Sequence, residues 1–238
     1  MSQSLPLEEN AAFITYPKQA AFGRTLPKNK IYEYSGANTR LKDLFVTQVE
    51  QIVWQYKLAP ETINLPAKPS VPEIQVFAIQ LKTPVLSLDV LRCIDGAVQY
   101  PIIFELGFDC QTQVVAAYKR PSELNVSRPQ SNQWLLSNYF MTGWLPSDVQ
   151  RVAMPVALDL GGLYEQLLHR LIPMPARQRE SLSYLVARIE QVTLVQRKLA
   201  KTTSKLAKEK QFNRKVKINA LLRQQKAELE QLTNWGST

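Results

Sequence analysis

Histidine and cysteine are scarce in this chain of 238 residues, which contains one His and two Cys. A structural zinc site needs four such ligands at short spacings, whereas His169, Cys93 and Cys110 are separate in the sequence. We therefore predict no metal site. Because no nucleophile accompanies His169, we interpret it as a structural residue.

The motifs that bind common cofactors are absent as well. None of the eight glycines belongs to a phosphate-binding Gly-Lys-Ser loop, a dinucleotide-binding pattern or a Gly-x-Ser-x-Gly elbow. These absences argue against an NTPase, a dehydrogenase and a hydrolase of common type. We predict that the protein has no cofactor.

Long apolar runs are missing. The longest, such as residues 152–158, fall far short of the roughly 20 residues that a membrane helix requires. Residues 1–10 are acidic, so no signal peptide is predicted. Since the two cysteines lie in segments that read as core, a reducing compartment is favoured. These features predict a cytoplasmic protein without a membrane partner.

Acidic residues are few in the last quarter of the chain. Residues 176–238 contain 14 Lys and Arg against five Asp and Glu, whereas residues 1–175 contain 15 of each. The whole net charge of +9 therefore lies in this quarter. We divide the chain into a body, residues 1–175, and a basic helical arm, residues 176–238. This asymmetry favours a polyanionic partner.

The body is predicted to be an α+β domain, a small mixed sheet with flanking helices. Residues 1–38 show no helical period and are expected to form an extended strap on the body. In an alternative interpretation, Lys28 and Lys30 of this strap contact phosphate. A helix is predicted to begin after Asn38 or Thr39 and to continue to Pro60.

Further elements of the body follow from apolar runs and turn residues. Strands are predicted at residues 73–82, 100–106 and 113–118, the last two antiparallel. Helices are predicted at residues 88–95, with Gly96 in the left-handed conformation at the end, and at residues 160–171. Residues 121–132 are predicted as a loop, and the aromatic-rich residues 134–144 as a strand or an irregular cover.

The arm carries an apolar seam with alternating spacings of three and four residues. Its first half comprises Leu182, Leu185, Ile189, Val192, Leu199 and Leu206, with Gln196 and Thr203 at the intervening positions. A second seam starts out of phase and comprises Ile218, Leu222, Gln225, Leu229 and Leu232. Two helices that fold back near residues 211–214 satisfy both seams. We therefore favour an antiparallel hairpin or coiled coil over one long rod.

Cations dominate the middle of the arm, where residues 197–217 contain nine Lys and Arg against one acidic residue, Glu209. Like charges one helical turn apart repel each other by about a few tenths of a kcal/mol, and an anionic partner would relieve this repulsion. We predict sequence-independent binding of nucleic acid. The predicted binding residues are Lys198, Lys201, Lys205, Lys208, Lys210, Arg214, Lys215 and Lys217.

A weaker pattern indicates metal-dependent cleavage. Gln80-Leu81-Lys82 ends a predicted strand, and acid-x-Lys at such a position is typical of nucleases that bind Mg²⁺. The alternative hypothesis is a degenerate nuclease with Glu73, Lys82, Asp95 and Glu105 as catalytic residues. Against it, Gln80 replaces one carboxylate, and a proline-rich connector occupies the place of the hairpin that normally supplies the first acid.

Four stretches resemble a known family: Trp-Gln-Tyr-Lys-Leu-Ala-Pro-Glu-Thr-Ile-Asn-Leu at 54–65, Glu-Ile-Gln-Val-Phe at 73–77, Tyr-Pro-Ile-Ile-Phe-Glu at 100–105 and Lys-Glu-Lys-Gln-Phe-Asn-Arg-Lys-Val at 208–216. The chain resembles an uncharacterised bacterial domain-of-unknown-function family. Its members are often encoded beside a superfamily-two helicase and a DNA methyltransferase in restriction or anti-phage loci. The resemblance implies an accessory role in nucleic-acid defence and assigns no catalytic residue.

Three hypotheses follow from these patterns. The favoured one is a non-catalytic adaptor subunit whose arm binds nucleic acid or docks on a helicase or DNA methyltransferase. The alternatives are the nuclease and a structural homodimer formed through the arms. An enzymatic activity is thus the less favoured possibility.

Overall fold

The computed structural model of the protein describes residues 10–122 and 134–234. The chain forms two compact units that divide between Pro173 and Met174. The first unit contains a mixed sheet with helices, and the second is a helical hairpin. The predicted combination of an α+β body and a C-terminal hairpin is therefore confirmed. No helix in the described ranges is long and apolar enough to cross a membrane.

In the part of the chain that the structure describes, seven strands form the main sheet of the body. They are β2 (Ala21–Thr25), β3 (Val49–Leu58), β4 (Ile74–Leu81), β5 (Ile102–Phe108), β6 (Gln111–Pro121) and β7 (Trp134–Met141) in that spatial order, with β8 (Leu145–Pro146) also paired to β6. Apart from the parallel pair β4–β5, neighbouring strands are antiparallel. Two short strands, β1 (Ile14–Thr15) and β9 (Val152–Ala153), form a separate parallel pair.

Within the described residues the body contains five α-helices: α1 (Lys28–Ser35), α2 (Thr39–Gln48), α3 (Pro60–Ile63), α4 (Leu88–Ala97) and α5 (Leu160–His169). Helix α4 is the crossover that parallel pairing of β4 and β5 requires. Its Leu91 packs in one buried cluster with Phe45 of α2, Phe77 of β4 and Phe104 of β5. Burial of these large apolar side chains is the main driving force for this layer of helices on the sheet.

The helix predicted from Asn38 to Pro60 is wrong in its second half. Helix α2 begins as expected, with the Asn38 side chain accepting a hydrogen bond from the Leu41 amide at 2.9 Å, but it ends at Gln48. The following ten residues form β3, which pairs with both β2 and β4. Valine, isoleucine and aromatic residues fit a central strand well, and ladder hydrogen bonds on both sides overrode the approximate helical spacing.

The N-terminal segment is more regular than predicted. Strand β2 and helix α1 lie within residues that were expected to be extended. Pro27 immediately precedes α1, and Gly36 ends it at φ +63° in the left-handed region that glycine adopts easily.

The left-handed conformation predicted for Gly96 is wrong, since Gly96 lies inside α4. The Lys28 Nζ donates hydrogen bonds to the carbonyls of Phe45 and Val49 and so caps the C-terminal end of α2, whereas Lys30 is exposed.

Most of the other predicted elements are confirmed within a few residues. Strands β4, β5 and β6 and helices α4 and α5 occupy the predicted places, and β5 and β6 are antiparallel. The aromatic-rich segment after Trp134 contains β7. Residues 123–132 of the predicted loop lie outside the described residues.

The second unit is an antiparallel hairpin of α6 (Leu182–Lys208) and α7 (Phe212–Thr233), so the single rod is excluded. Leu222 and Gln225 are buried, as the second seam predicted. In α6, however, Val195 and Thr202 are buried whereas Gln196 and Thr203 are exposed. A spacing of three or four residues allows either Val195 or Gln196, and either Thr202 or Thr203, to face α7. Packing against α7 buries Val195 and Thr202.

Arg188 ties together the end of the hairpin opposite the α6–α7 turn. Its guanidinium donates to both carboxylate oxygens of Glu180 at 2.8 and 2.7 Å and to the carbonyls of Pro175 and Leu232 at 2.9 and 3.1 Å. These hydrogen bonds lower the pKa of Glu180. Bidentate pairing and carbonyl acceptors compensate the burial of this charge.

Two substitutions test the seam. Val195→Ala removes fully buried methyl groups, so we expect it to destabilise the hairpin by about 1–3 kcal/mol. Gln196→Ala changes an exposed side chain and should stay within about 0.5 kcal/mol of the original protein. Native-state hydrogen exchange of the α6 and α7 amides measures both effects. A larger loss for Gln196→Ala would show that the alternative seam is the buried one.

Candidate functional site

The eight cations predicted to bind nucleic acid surround the turn of the hairpin. We call them the tip surface: Lys198, Lys201, Lys205, Lys208, Lys210, Arg214, Lys215 and Lys217. All eight are exposed. Among residues 10–122 and 134–234, none of them lies within salt-bridge distance of a carboxylate. The tip surface is therefore a concentrated positive charge facing solvent.

Helix geometry sets the dimensions of the tip surface. From Lys198 to the end of α6 at Lys208 the rise is about 15 Å. The lysines of α6 recur every three or four residues and are exposed, along a stripe that flanks the buried residues Val195 and Thr202. A duplex carries one phosphate charge per roughly 1.7 Å of its axis. A stripe of this length can contact several phosphates at once.

Glu209, the one acidic residue of this region, is engaged by the turn. Its Oε1 accepts hydrogen bonds from the backbone amides of Lys210 and Gln211, each at 2.9 Å. The hydrogen bond from the Gln211 amide is the main cause of its lowered pKa, and the nearby charges of Arg214 and Lys215 contribute. The carboxylate fixes the turn geometry and forms no ion pair with a tip-surface side chain in the described structure.

The residues of the nuclease hypothesis are dispersed. Glu73 and Lys82 flank opposite ends of β4, about 30 Å apart along an extended chain. The Glu73 carboxylate accepts a hydrogen bond from Gln75 at 2.6 Å and lies 3.4 Å from the Lys57 ammonium. Lys82 donates to the Val46 carbonyl at 2.9 Å.

Glu105 and Asp95, the other two carboxylates of the nuclease hypothesis, each pair with a different cation. Glu105 in β5 forms a bidentate pair with Arg151 at 2.8 and 2.7 Å, whereas Asp95 belongs to α4 and pairs with Lys119. Within the part of the chain that the structure describes, no three His, Cys, Asp or Glu residues are grouped to hold a metal ion. Glu73, Asp95 and Glu105 are thus not brought together.

The proline-rich connector expected before β4 joins it to β3, and these two strands are antiparallel. Strand β3 places Gln51 opposite Gln80, and β5 places Gly107 on the other side. A side chain at position 107 would meet Gln80, because a Cβ there would lie 2.7 Å from the Gln80 Oε1. Gln51, Gln55 and Gln80 line a groove of about 260 Å³ with Glu105 and Arg151. Its amides can form hydrogen bonds but supply little charge for Mg²⁺.

A buried polar cluster of Asp95, Lys119 and Tyr139 was missed by the sequence analysis. The Tyr139 hydroxyl donates to the Asp95 carboxylate at 2.5 Å, and the Lys119 ammonium lies 3.7 Å from it. Lys119 also donates to the carbonyls of Asp95 and Val98 at the end of α4. Lys119 follows a predicted strand, and nothing in the sequence indicates that its side chain is buried. Its burial depends on the packing of α4 against β6.

Burial governs the protonation of this cluster. Its residues Asp95 and Lys119 line a cavity of about 480 Å³ together with Arg92 and Trp134. Desolvation raises the pKa of Asp95 to about 6, although Lys119 and the Tyr139 hydroxyl oppose the change. Desolvation likewise lowers the pKa of Lys119. Both pKa shifts arise because burial removes water from the charged forms of Asp95 and Lys119. The hydrogen bonds from Lys119 to the carbonyls at the end of α4 offset part of this desolvation cost.

The Asp95→Asn variant tests this assignment. Between pH of about 4 and 6 the folded protein binds a proton at Asp95 that the unfolded chain has released, so this group's contribution to stability falls as the pH rises. The slope is at most about 1.4 kcal/mol per pH unit. We expect the stability of Asp95→Asn relative to the original protein to increase across this window. Urea denaturation at several pH values, with NMR titration of the Asp95 carboxyl, measures it. A relative stability that is independent of pH would contradict the assignment.

Comparison with known proteins identifies a family but no described relative. No curated protein and no solved structure matches the chain. A family model, the domain of unknown function DUF4391, matches residues 14–229 and so includes most of both units. The chain therefore belongs to the DUF4391 family.

Proposed function

We propose that this chain is a non-catalytic accessory subunit that binds nucleic acid through the tip surface. The observation that carries the proposal is the exposure of eight cations without a carboxylate partner in the described structure. Lysine predominates among them, and lysine contacts phosphate as a point charge. Binding should therefore depend strongly on salt and little on base sequence.

The closed seam of the hairpin supports this reading over a homodimer joined by its arms. Val192 and Val195 of α6 and Leu222 of α7 are buried without a second chain. A partner copy is therefore not needed to cover the seam. Light scattering of the full chain should give the mass of one chain; a dimer that dissociates when the seam is altered would favour the structural alternative.

The positions of the acidic residues support a binding role over cleavage. Glu73, Asp95 and Glu105 each have a cationic neighbour of their own. Gln80, at the place where the nuclease pattern requires an acid, contributes an uncharged amide to the groove. Divalent metal should therefore be unnecessary for binding, and the complex should form equally well in the presence of a chelator.

The family resemblance extends the proposal to a biological setting. We place the chain in the cytoplasm, in a bacterial restriction-like or anti-phage system, beside a helicase or a DNA methyltransferase. Co-expression with the neighbouring genes and affinity isolation of the full chain should recover one of these enzymes. Isolation of the chain alone under low-salt conditions would contradict the accessory role but not the binding of nucleic acid.

The double variant Lys205→Gln/Lys208→Gln tests the tip surface. If both lysines contact phosphates of duplex DNA, affinity falls and the slope of log K against log salt becomes shallower by about 2. Fluorescence anisotropy with a labelled duplex, between about 50 and 200 mM salt, measures both quantities. Because both side chains are exposed, folding should be unaffected, which circular dichroism verifies.

The matched control is Arg223→Gln/Lys226→Gln. It removes the same charge from exposed positions of α7 that are farther from the turn than Lys205 and Lys208. We expect its salt slope to equal that of the original protein. Equal losses in both double variants would indicate a general effect of net charge, and the tip surface would no longer be assigned as the binding site.

A further inference from the structure

An exposed aromatic ring lies among the tip cations. Phe212 is the first residue of α7 and is 77% exposed. Val216, one turn later on the same face, is 52% exposed. Buried Leu222 and Gln225 mark the side of α7 that faces α6. The ring and the valine therefore point outward from the hairpin.

The short turn holds this ring in a defined position. Helix α6 ends at Lys208, and the Glu209 amide donates to the carbonyls of Lys205 and Leu206. The Glu209 carboxylate in turn accepts from the amides of Lys210 and Gln211. Residues 209–211 separate the two helices, and these hydrogen bonds fix the backbone at both ends of the turn. Phe212 is thus presented by a structured turn at the start of a helix.

A single exposed apolar side chain is ordinary on a protein surface, so exposure alone assigns nothing to Phe212. Its neighbours are the informative feature. Lys208 and Lys210 precede it, Arg214 and Lys215 follow it, and all four are exposed. An apolar protein partner would have to desolvate these charges on docking, at a considerable cost. A polyanion with flat apolar faces would satisfy both the cations and the ring.

We infer that the Phe212 ring stacks on an unpaired nucleobase, so that the tip binds single-stranded nucleic acid in preference to continuous duplex. The inference rests on the proposed function and adds the class of nucleic acid. Stacking of a base on an aromatic side chain is worth about 1–3 kcal/mol. In an intact duplex the base faces are covered by their neighbours, and insertion of the ring would have to unstack a base step.

The Phe212→Ala variant of the full chain tests this inference. Binding to a labelled single-stranded oligonucleotide should weaken by about 5- to 150-fold, the equivalent of the stacking energy. Binding to a duplex of the same sequence should change by less than about 2-fold, since the phosphate contacts remain. The salt slope should be unchanged in both cases. Phe212→Trp should restore single-strand binding.

Tyr184→Ala is the matched control, because Tyr184 is an aromatic residue of the same hairpin with 75% exposure, placed in the first turn of α6. It should leave single-strand binding unchanged. A base analogue whose fluorescence is quenched by stacking gives a second readout, and Phe212→Ala should abolish the quenching that the original protein causes.

The outcomes separate the inference from the proposed function. If Lys205→Gln/Lys208→Gln weakens binding while Phe212→Ala does not, the stacking role is overturned and the tip surface stands. Equal loss on single strand and duplex in Phe212→Ala also overturns it. If the original protein binds neither oligonucleotide at low salt, both ideas fail, and protein docking through Phe212 becomes the better explanation of its exposure.

Discussion

The two helices of the second unit bury one apolar face each against the other, and this packing leaves the opposite faces to solvent. Val195 and Leu222 lie in that interface, and Arg188 is neutralised by Glu180 at the end away from the turn. Clustered lysines repel one another and weaken an isolated helix. Burial of the seam has to exceed this repulsion for the hairpin to form. An exposed positive surface is therefore compatible with a stable monomeric hairpin, and a polyanion bound there would stabilise it further.

The two units use their cations differently. In the body, Lys28 and Lys119 donate to backbone carbonyls at helix ends, and Arg151 pairs with Glu105. These charges are engaged in holding the fold, which agrees with the balance of acidic and basic residues in residues 1–175. At the tip of the hairpin, the cations lie within salt-bridge distance of no carboxylate among the residues that the structure describes. Binding of a polyanion is consequently proposed for the hairpin, and the body is interpreted as a scaffold.

Strand register explains why Gln80-Leu81-Lys82 does not lie in a cluster of carboxylates in the described structure. Gln80 and Lys82 lie two residues apart as that pattern requires, but the residues beside Gln80 are Gln51 and Gly107. The nearest acid of the groove, Glu105, is bound by Arg151. A three-residue sequence match specifies spacing along one strand and carries no information about its neighbours, which decide whether a divalent cation would find several carboxylates.

The sequence by itself determined the charge division, the hairpin and the buried strands, because each follows from local spacing, turn residues or composition. Residues 49–58 were misassigned since their apolar spacing fits a helix as well as a strand, and pairing with β2 and β4 resolved the ambiguity. Asp95 contacts Lys119, which is 24 positions later in the sequence, and Glu105 contacts Arg151, which is 46 positions later. Such contacts depend on how α4 and the strands pack. The exposure of Phe212 was likewise decided by the tertiary structure, because the rotation of α7 against α6 sets which side chains face solvent.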